Sequence, residues 1–333
     1  MFLGLWLILS GSKRIINAHS RHFLALSVLF LLPLCFSATV YPSVIRLLSD
    51  HSAAPDSVSL LRSGREYDPR AATSETVILL SIAYTVVATV FNLLAIGSIT
   101  YSVFQGFYGR PVKLLSAIKS GLASFFPLLA TLIPVQIIMF WILAILGLLA
   151  FVLIRGFQFI GLEINFSSPY FLALCAVLAI VFVAIVIKLY VNWILVWVIV
   201  VVESKWGFTP LKRSKSLIKG MRGVSLSIIL FFVLIESVLI WSSSMASATQ
   251  QIGGSDTTRW RNACFIIQTA IASAFLTLLS LYNIAANTVM YMYCKAIQGE
   301  LAFEIAEEFA REYVSLPFDD GKVPHFVTVN YNV

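Results

Sequence analysis

The sequence predicts an all-α fold, a polytopic membrane bundle of six transmembrane helices with amphipathic interfacial helices before spans 1, 3 and 5. Three observations carry this prediction. Of 333 residues, 59% are hydrophobic and 12% charged, about half the charged fraction of an ordinary soluble domain. Several apolar runs exceed the roughly 18 residues that mark a membrane span, without the period-2 alternation of a transmembrane barrel strand. Finally, the positive charge is concentrated at the ends of these runs, where it orients spans and meets anionic lipid. The net charge of +7 is therefore accounted for by the membrane, and nucleic acid is not expected as a partner.

Taken in order, residues 1–22 form an interfacial amphipathic segment, 23–298 the six-helix transmembrane domain and 299–333 a cytosolic tail. Lys13 and Arg14 follow the first apolar stretch, whereas a signal peptide carries its charges before it. The segment is therefore expected to be retained. Span 1 covers 23–41 and ends at Pro42. A polar segment, 49–74, leads to span 2 at 75–101. Residues 104–120 are basic and amphipathic. Span 3, 121–154, contains Pro127 and Pro134, which predict a kink or break near its start. Span 4 covers 169–202, span 5 covers 224–244 and span 6 covers 263–293. In the tail, 299–313 reads as an acidic helix, either folded back on the basic 212–222 segment or exposed and solvated, and the alternation Val327, Val329, Tyr331, Val333 reads as a short strand or extended peptide.

An even number of spans puts both termini on one side. That side carries 15 Lys and Arg and the other seven, which predicts N-in and C-in. The membrane is the endoplasmic reticulum or the plasma membrane. The triplet Asn165-Phe166-Ser167 then falls on the outer side, where glycosylation occurs. Short basic segments opening at Lys13-Arg14, Lys113 and Lys212-Arg213 each run into an odd-numbered span, a spacing near 100 residues that suggests a threefold repeat.

The most basic window is Glu203–Gly223, ESKWGFTPLKRSKSLIKGMRG. Thr209 suits an N-cap and Pro210 the first helical position. Leu211, Ser214, Leu217, Ile218 and Met221 share one side at a 3.6-residue period, and Lys212, Lys215, Lys219 and Arg222 share another. Such a helix is expected to lie in the headgroup plane, its cations, Arg213 included, over anionic phosphates at about 1 kcal/mol each. The charges also serve simply to orient spans 4 and 5. Glu203, Gly207, Leu211, Arg213-Ser214, Leu217 and Gly220 resemble the Glu…Gly…Ala-Leu-x-Arg-Ser-x-x-Leu-x-x-Gly pattern of certain six-span membrane proteins. These are a plant family and the membrane domain that accompanies some bacterial glycerophosphodiester phosphodiesterases. Pro210 stands where the pattern has Ala. No phosphodiesterase domain follows span 6, so the resemblance implies a fold and no activity.

Lys188 and Glu236 are the charges well inside spans. Both lie about 20 Å from the cytosolic end at 1.5 Å per residue, so an ion pair is expected, because an isolated charge there costs at least about 2.5–3.5 kcal/mol. An ion or proton pathway, a snorkelling lysine, or a protonated glutamate are the other readings. Ser81, Thr85, Thr89 and Asn92 line one face of span 2. Thr269, Ser273, Thr277, Ser280 and Asn287 line one face of span 6, with Asn283 adjoining. Both stripes read as interhelical glue or as the walls of a polar conduit.

Enzyme constellations are absent. His19, His22, His51 and His325 are scattered along the chain, and His19 and His22, at helical spacing, have no carboxylate or cysteine nearby to complete a metal site. Cys35, Cys175, Cys264 and Cys294 lie within or at the ends of apolar runs and read as small hydrophobes. No catalytic residue, metal or cofactor is expected. The function that follows is a non-enzymatic membrane protein that organises lipid or binds partners through its basic cytosolic face. The alternative is a transporter or channel using Lys188, Glu236 and the polar stripes.

Overall fold

The computed structural model describes residues 2–53, 69–159, 169–249, 258–302 and 305–306. The expected outer segment around Asn165, most of the polar loop after span 1, most of the acidic tail helix and the terminal strand lie outside them. Ten α-helices occupy the described residues, and six spans are long and apolar enough to cross a membrane: Ser20–Pro42, Val77–Phe107, Leu114–Gly156, Phe171–Glu203, Arg222–Ser242 and Ile266–Ile297. The all-α bundle is what the apolar runs predict.

α1 (Phe2–Ala18) ends at His19, whose backbone leaves the helical region, and α2 (Ser20–Leu26) begins the first span. A π-helical turn, Ser27–Leu31, joins α2 to α3 (Leu32–Ala53). The turn immediately precedes Pro33, whose ring in a regular α-helix would meet the carbonyl four residues back. The wider turn relieves that contact. α1 is a strap across one end of the bundle. Gly4 lies against Val224, Gly11 against Val289, and Ile15 against Gly106, so in about 16 Å of helix it meets three different spans. Leu5, Ile8, Ser12 and Ile16 face inward, while Lys13 and Arg14 are exposed.

α4 (Pro69–Phe107) and α5 (Leu114–Phe159) form the most extensive helix pair. Their backbones approach where Gly97 meets Gly121: a Cβ built on Gly97 would lie 3.0 Å from the Gly121 Cα. Small residues allow such approaches where apolar area gives no preference for protein over lipid. Here the structure departs from the sequence expectation. No separate interfacial helix precedes span 3. Residues 104–107 finish α4, a turn through Gly109 at φ 70° follows, and 114–120 are already the first turns of α5. Gly109 and Pro111 end one helix, and nothing between Leu114 and Gly121 ends the next. Nor do Pro127 and Pro134 break α5, which runs through both.

Span 4 is the broken one. α6 (Pro169–Trp193) and α7 (Val196–Glu203) are separated at Ile194-Leu195, without Pro or Gly. α8 (Thr209–Leu217) and a 3-10 turn, Ile218–Gly220, lead into α9 (Arg222–Thr249), and α10 (Thr258–Ile297) completes the bundle. α8 starts one residue before the sequence expectation, with Phe208 rather than Thr209 at the N-cap and Pro210 in the first turn.

The tightly packed core sits at the end crossed by α1. Ile8, Phe23, Ile99, Leu195, Ile199, Leu217, Ile228 and Tyr291 are fully buried there. Towards the other end large apolar side chains face outward, among them Leu79, Phe140, Leu172, Leu234 and Ile266, as lipid-facing surfaces do.

Candidate functional site

The strapped end carries a polar hub that the sequence places far apart. Glu203 ends α7, where unpaired helix carbonyls disfavour a carboxylate. Its side chain is 10% exposed and is met by two cations and a hydroxyl donor. Lys205 Nζ donates to Oε2 at 2.7 Å, Arg213 Nε to Oε1 at 3.4 Å, and the Tyr291 hydroxyl to Oε1 at 3.0 Å. Arg213 also pairs with Glu300, just past α10. That hydrogen bond, and then the charge of Glu203, raises the guanidinium pKa further above its ordinary value. This pair is the contact between the start of the acidic tail and the basic segment within the described residues. Gln298 Nε2 adds bonds to the carbonyls of Ser216 and Leu217, at 3.2 and 3.0 Å.

The connection from α7 to α8 is shaped by two left-handed residues, Ser204 at φ 53° and Gly207 at φ 76°. Glycine adopts that conformation without the Cβ penalty. The Gly207 N–H donates to Thr131 Oγ1 at 3.2 Å, and Thr131 donates to the Pro127 carbonyl at 2.8 Å. The turn is therefore tied to the proline-containing start of span 3. Ser214 Oγ donates to the Asn192 carbonyl at 2.7 Å, supplying a donor at the break in span 4, where regular helix bonding stops. Glu203, Gly207, Leu211, Arg213, Ser214 and Leu217 all act inside one folded unit.

The two sides of α8, continued through the 3-10 turn to the first residue of α9, separate as their periodicity predicts. Leu211, Ser214, Leu217 and Ile218 are buried, whereas Lys212, Lys215, Lys219 and Arg222 are exposed. The burial is against α6, α7 and α10, not against lipid. This differs from the expected helix lying with its apolar side in the membrane. Arg213 also stands apart from its basic neighbours, since its charge is engaged by Glu203 and Glu300.

Within the membrane-spanning region, Asn92, Glu236, Asn283 and Asn287 come together. They line a cavity of about 260 Å³ with Thr100, Tyr190, Trp197 and Ser280. Its wall includes Leu31 of the π turn and Ile194 of the span 4 break, so two departures from regular helix open onto it. Asn287 Nδ2 donates to Asn283 Oδ1 at 3.1 Å. Lys188 is not part of this site. Tyr190 lines the cavity, and a residue two positions away on a helix points about 200° elsewhere. Lys188 is exposed, and among the described residues it makes no ion pair with Glu236. The expected pair is corrected: matching depth did not imply matching faces.

Many hydroxyls of the polar stripes bond within their own helices. Ser81, Thr85 and Thr89 donate to their own helix carbonyls four residues back. On α10, Ser273 and Thr277 do likewise, and hydroxyls of this stripe also approach span 1. Thr39 Oγ1 lies 2.9 Å from Ser273 Oγ, and Cys35 Sγ 4.0 Å from Ser280 Oγ. Tyr41, also from span 1, donates to Ser81 at 2.9 Å and stacks on Tyr84.

His22 Nε2 lies 3.0 Å from Ser102 Oγ, and no metal-holding group of His, Cys, Asp or Glu occurs among the described residues. Sequence reasoning missed the role of Glu203 as a hub. Its available signal was an acid at the carbonyl end of a long apolar helix, which calls for nearby cations. No curated protein and no solved structure matches the chain. Residues 1–322 match the family model of a domain of unknown function, DUF8558, and the chain belongs to that family.

Proposed function

We propose that this protein is a non-enzymatic, multi-pass membrane protein that uses a fixed basic platform at its cytosolic face to hold anionic lipid headgroups. The observation that carries the reading is the division of α8. Its apolar side is sealed into the bundle, and its polar side presents Lys212 and Lys215 outward, followed by Lys219 of the 3-10 turn and Arg222 at the start of α9. A helix attached in this way loses little freedom when lipid binds, so more of the electrostatic attraction remains as affinity. Lys13 and Arg14 on the strap, and Lys113 and Lys119 at the start of α5, lie near the same end and extend the basic face. The inside-positive bias makes this end cytosolic, with both termini on that side.

The test is thermal unfolding of the full chain in detergent, with added phosphatidylglycerol or phosphatidylcholine. Phosphatidylglycerol is expected to stabilise the wild type more, and the difference is expected to shrink at high salt. Neutralising all four exposed cations to Gln should abolish it. Equal stabilisation by both lipids would reject the platform.

A transporter or channel is the second reading, favoured by the cavity around Glu236. The self-bonded hydroxyls of span 2 weigh against an extended conduit.

A further inference from the structure

The cavity between the spans has a chemistry that selects a ligand. Glu236 is the one carboxylate among its lining residues, and no lysine, arginine or histidine lines it. The remaining polar lining is neutral. Two oxygen atoms there are left without partners: Thr100 Oγ1, on a residue that is fully buried, and Asn287 Oδ1. The Asn287 amide nitrogen is already committed to Asn283, which leaves its carbonyl oxygen as the atom awaiting a donor. A buried polar atom without a partner costs about 1–3 kcal/mol, and two such atoms on residues that line one cavity point to something that bonds there.

A carboxylate and two idle acceptor sites call for a cation that donates hydrogen bonds. A bare metal ion, held at roughly 2.3–2.6 Å by six to eight oxygens when it is calcium, would leave most of 260 Å³ empty. A quaternary ammonium fills space but has no N–H for Thr100 or Asn287. A primary ammonium has three N–H donors, which suits a lining of carboxylate, amide and hydroxyl oxygens. The rings of Tyr190 and Trp197 also line the cavity, and aromatic surfaces suit an organic cation. The volume falls just below the usual range for drug-sized ligands, so the molecule, or the part of it inside, is small.

Access follows from the break in span 4. α7 packs against α4, whereas α6 does not pack closely on it. Above Ile194-Leu195 spans 2 and 4 therefore part, and Asn92 and Tyr190 at that side are both exposed. We infer that this cavity binds the ammonium group of a small primary amine, held by Glu236, Asn287 and Thr100 and admitted between spans 2 and 4. The group belongs either to a free amine or to an aminophospholipid headgroup. The inference does not depend on the basic platform.

The experiment uses the full chain in detergent with radiolabelled ethanolamine as probe. Saturable binding is expected in the wild type, weakened at least tenfold by Glu236→Gln and severalfold by Thr100→Val. Lys188→Gln, outside the cavity, should bind as wild type. Ethylene glycol, the neutral counterpart of ethanolamine, should not compete, and this arm needs no variant if Glu236→Gln fails to fold. A parallel arm purifies the protein from membranes containing phosphatidylethanolamine and phosphatidylglycerol. Selective retention of the former, displaced by free ethanolamine, identifies the headgroup as the source; saturable ethanolamine binding without that retention identifies a free amine. Absence of both overturns the inference, as does full binding by a folded Glu236→Gln protein or competition by ethylene glycol.

Discussion

Replacing Arg213 with Gln removes the one cation that touches both Glu203 and Glu300. At 3.4 Å and an effective dielectric near 20, the Arg213–Glu203 attraction alone is about 5 kcal/mol before desolvation. The net effect is smaller, because Arg213 is 26% exposed and Glu203 keeps Lys205 and Tyr291. Removing one partner of a fully buried pair costs about 3–5 kcal/mol, so about 2 kcal/mol is expected here. Glu203→Gln should cost a similar amount. Because the two side chains share one interaction, the double variant should be less destabilised than the sum of the singles by about 1–2 kcal/mol. The assay is unfolding of the full chain in mixed micelles, followed by tryptophan fluorescence. Lys212→Gln, exposed on the same helix, should stay within about 0.5 kcal/mol of wild type. Strict additivity of the Arg213 and Glu203 changes would refute the hub as a coupled unit.

Two further perturbations address the scaffold around it. Gly97→Val places a branched side chain where a Cβ alone would lie 3.0 Å from the Gly121 Cα, so overpacking of about 1–3 kcal/mol is expected and should appear as a lower midpoint in the same unfolding assay. Ser214→Ala withdraws the donor from the Asn192 carbonyl at the span 4 break, costing about 1–3 kcal/mol; amide exchange should speed up at the start of α7 and not in α4, and uniform exchange would contradict the local role.

The spans were legible because a membrane imposes length and hydropathy on each helix separately, and that information is local. The division of α8 was legible for the same reason: Leu211, Ser214 and Leu217 recur at helical spacing whatever they pack against. What they pack against was not legible. Periodicity reports that a side is buried, and lipid and protein are equally apolar to it. Glu203 meets partners 10 and 88 positions away, at Arg213 and Tyr291, and Arg213 in turn reaches Glu300, 87 positions further on. The break at Ile194-Leu195 carries no Pro or Gly to announce it, and one donor that serves it belongs to another helix. Lys188 and Glu236 show the limit most plainly. Depth can be counted along a chain, but facing depends on how each helix is rotated, and the break changes that rotation midway along span 4.

The central claim is that the exposed cations from Lys212 to Arg222 hold anionic headgroups. Its most direct test is native mass spectrometry of the full chain released from micelles with equal phosphatidylglycerol and phosphatidylcholine. The account predicts preferential retention of phosphatidylglycerol by the wild type, and no preference after Lys212, Lys215, Lys219 and Arg222 are all changed to Gln. The same preference in both proteins, or none in the wild type, would contradict it.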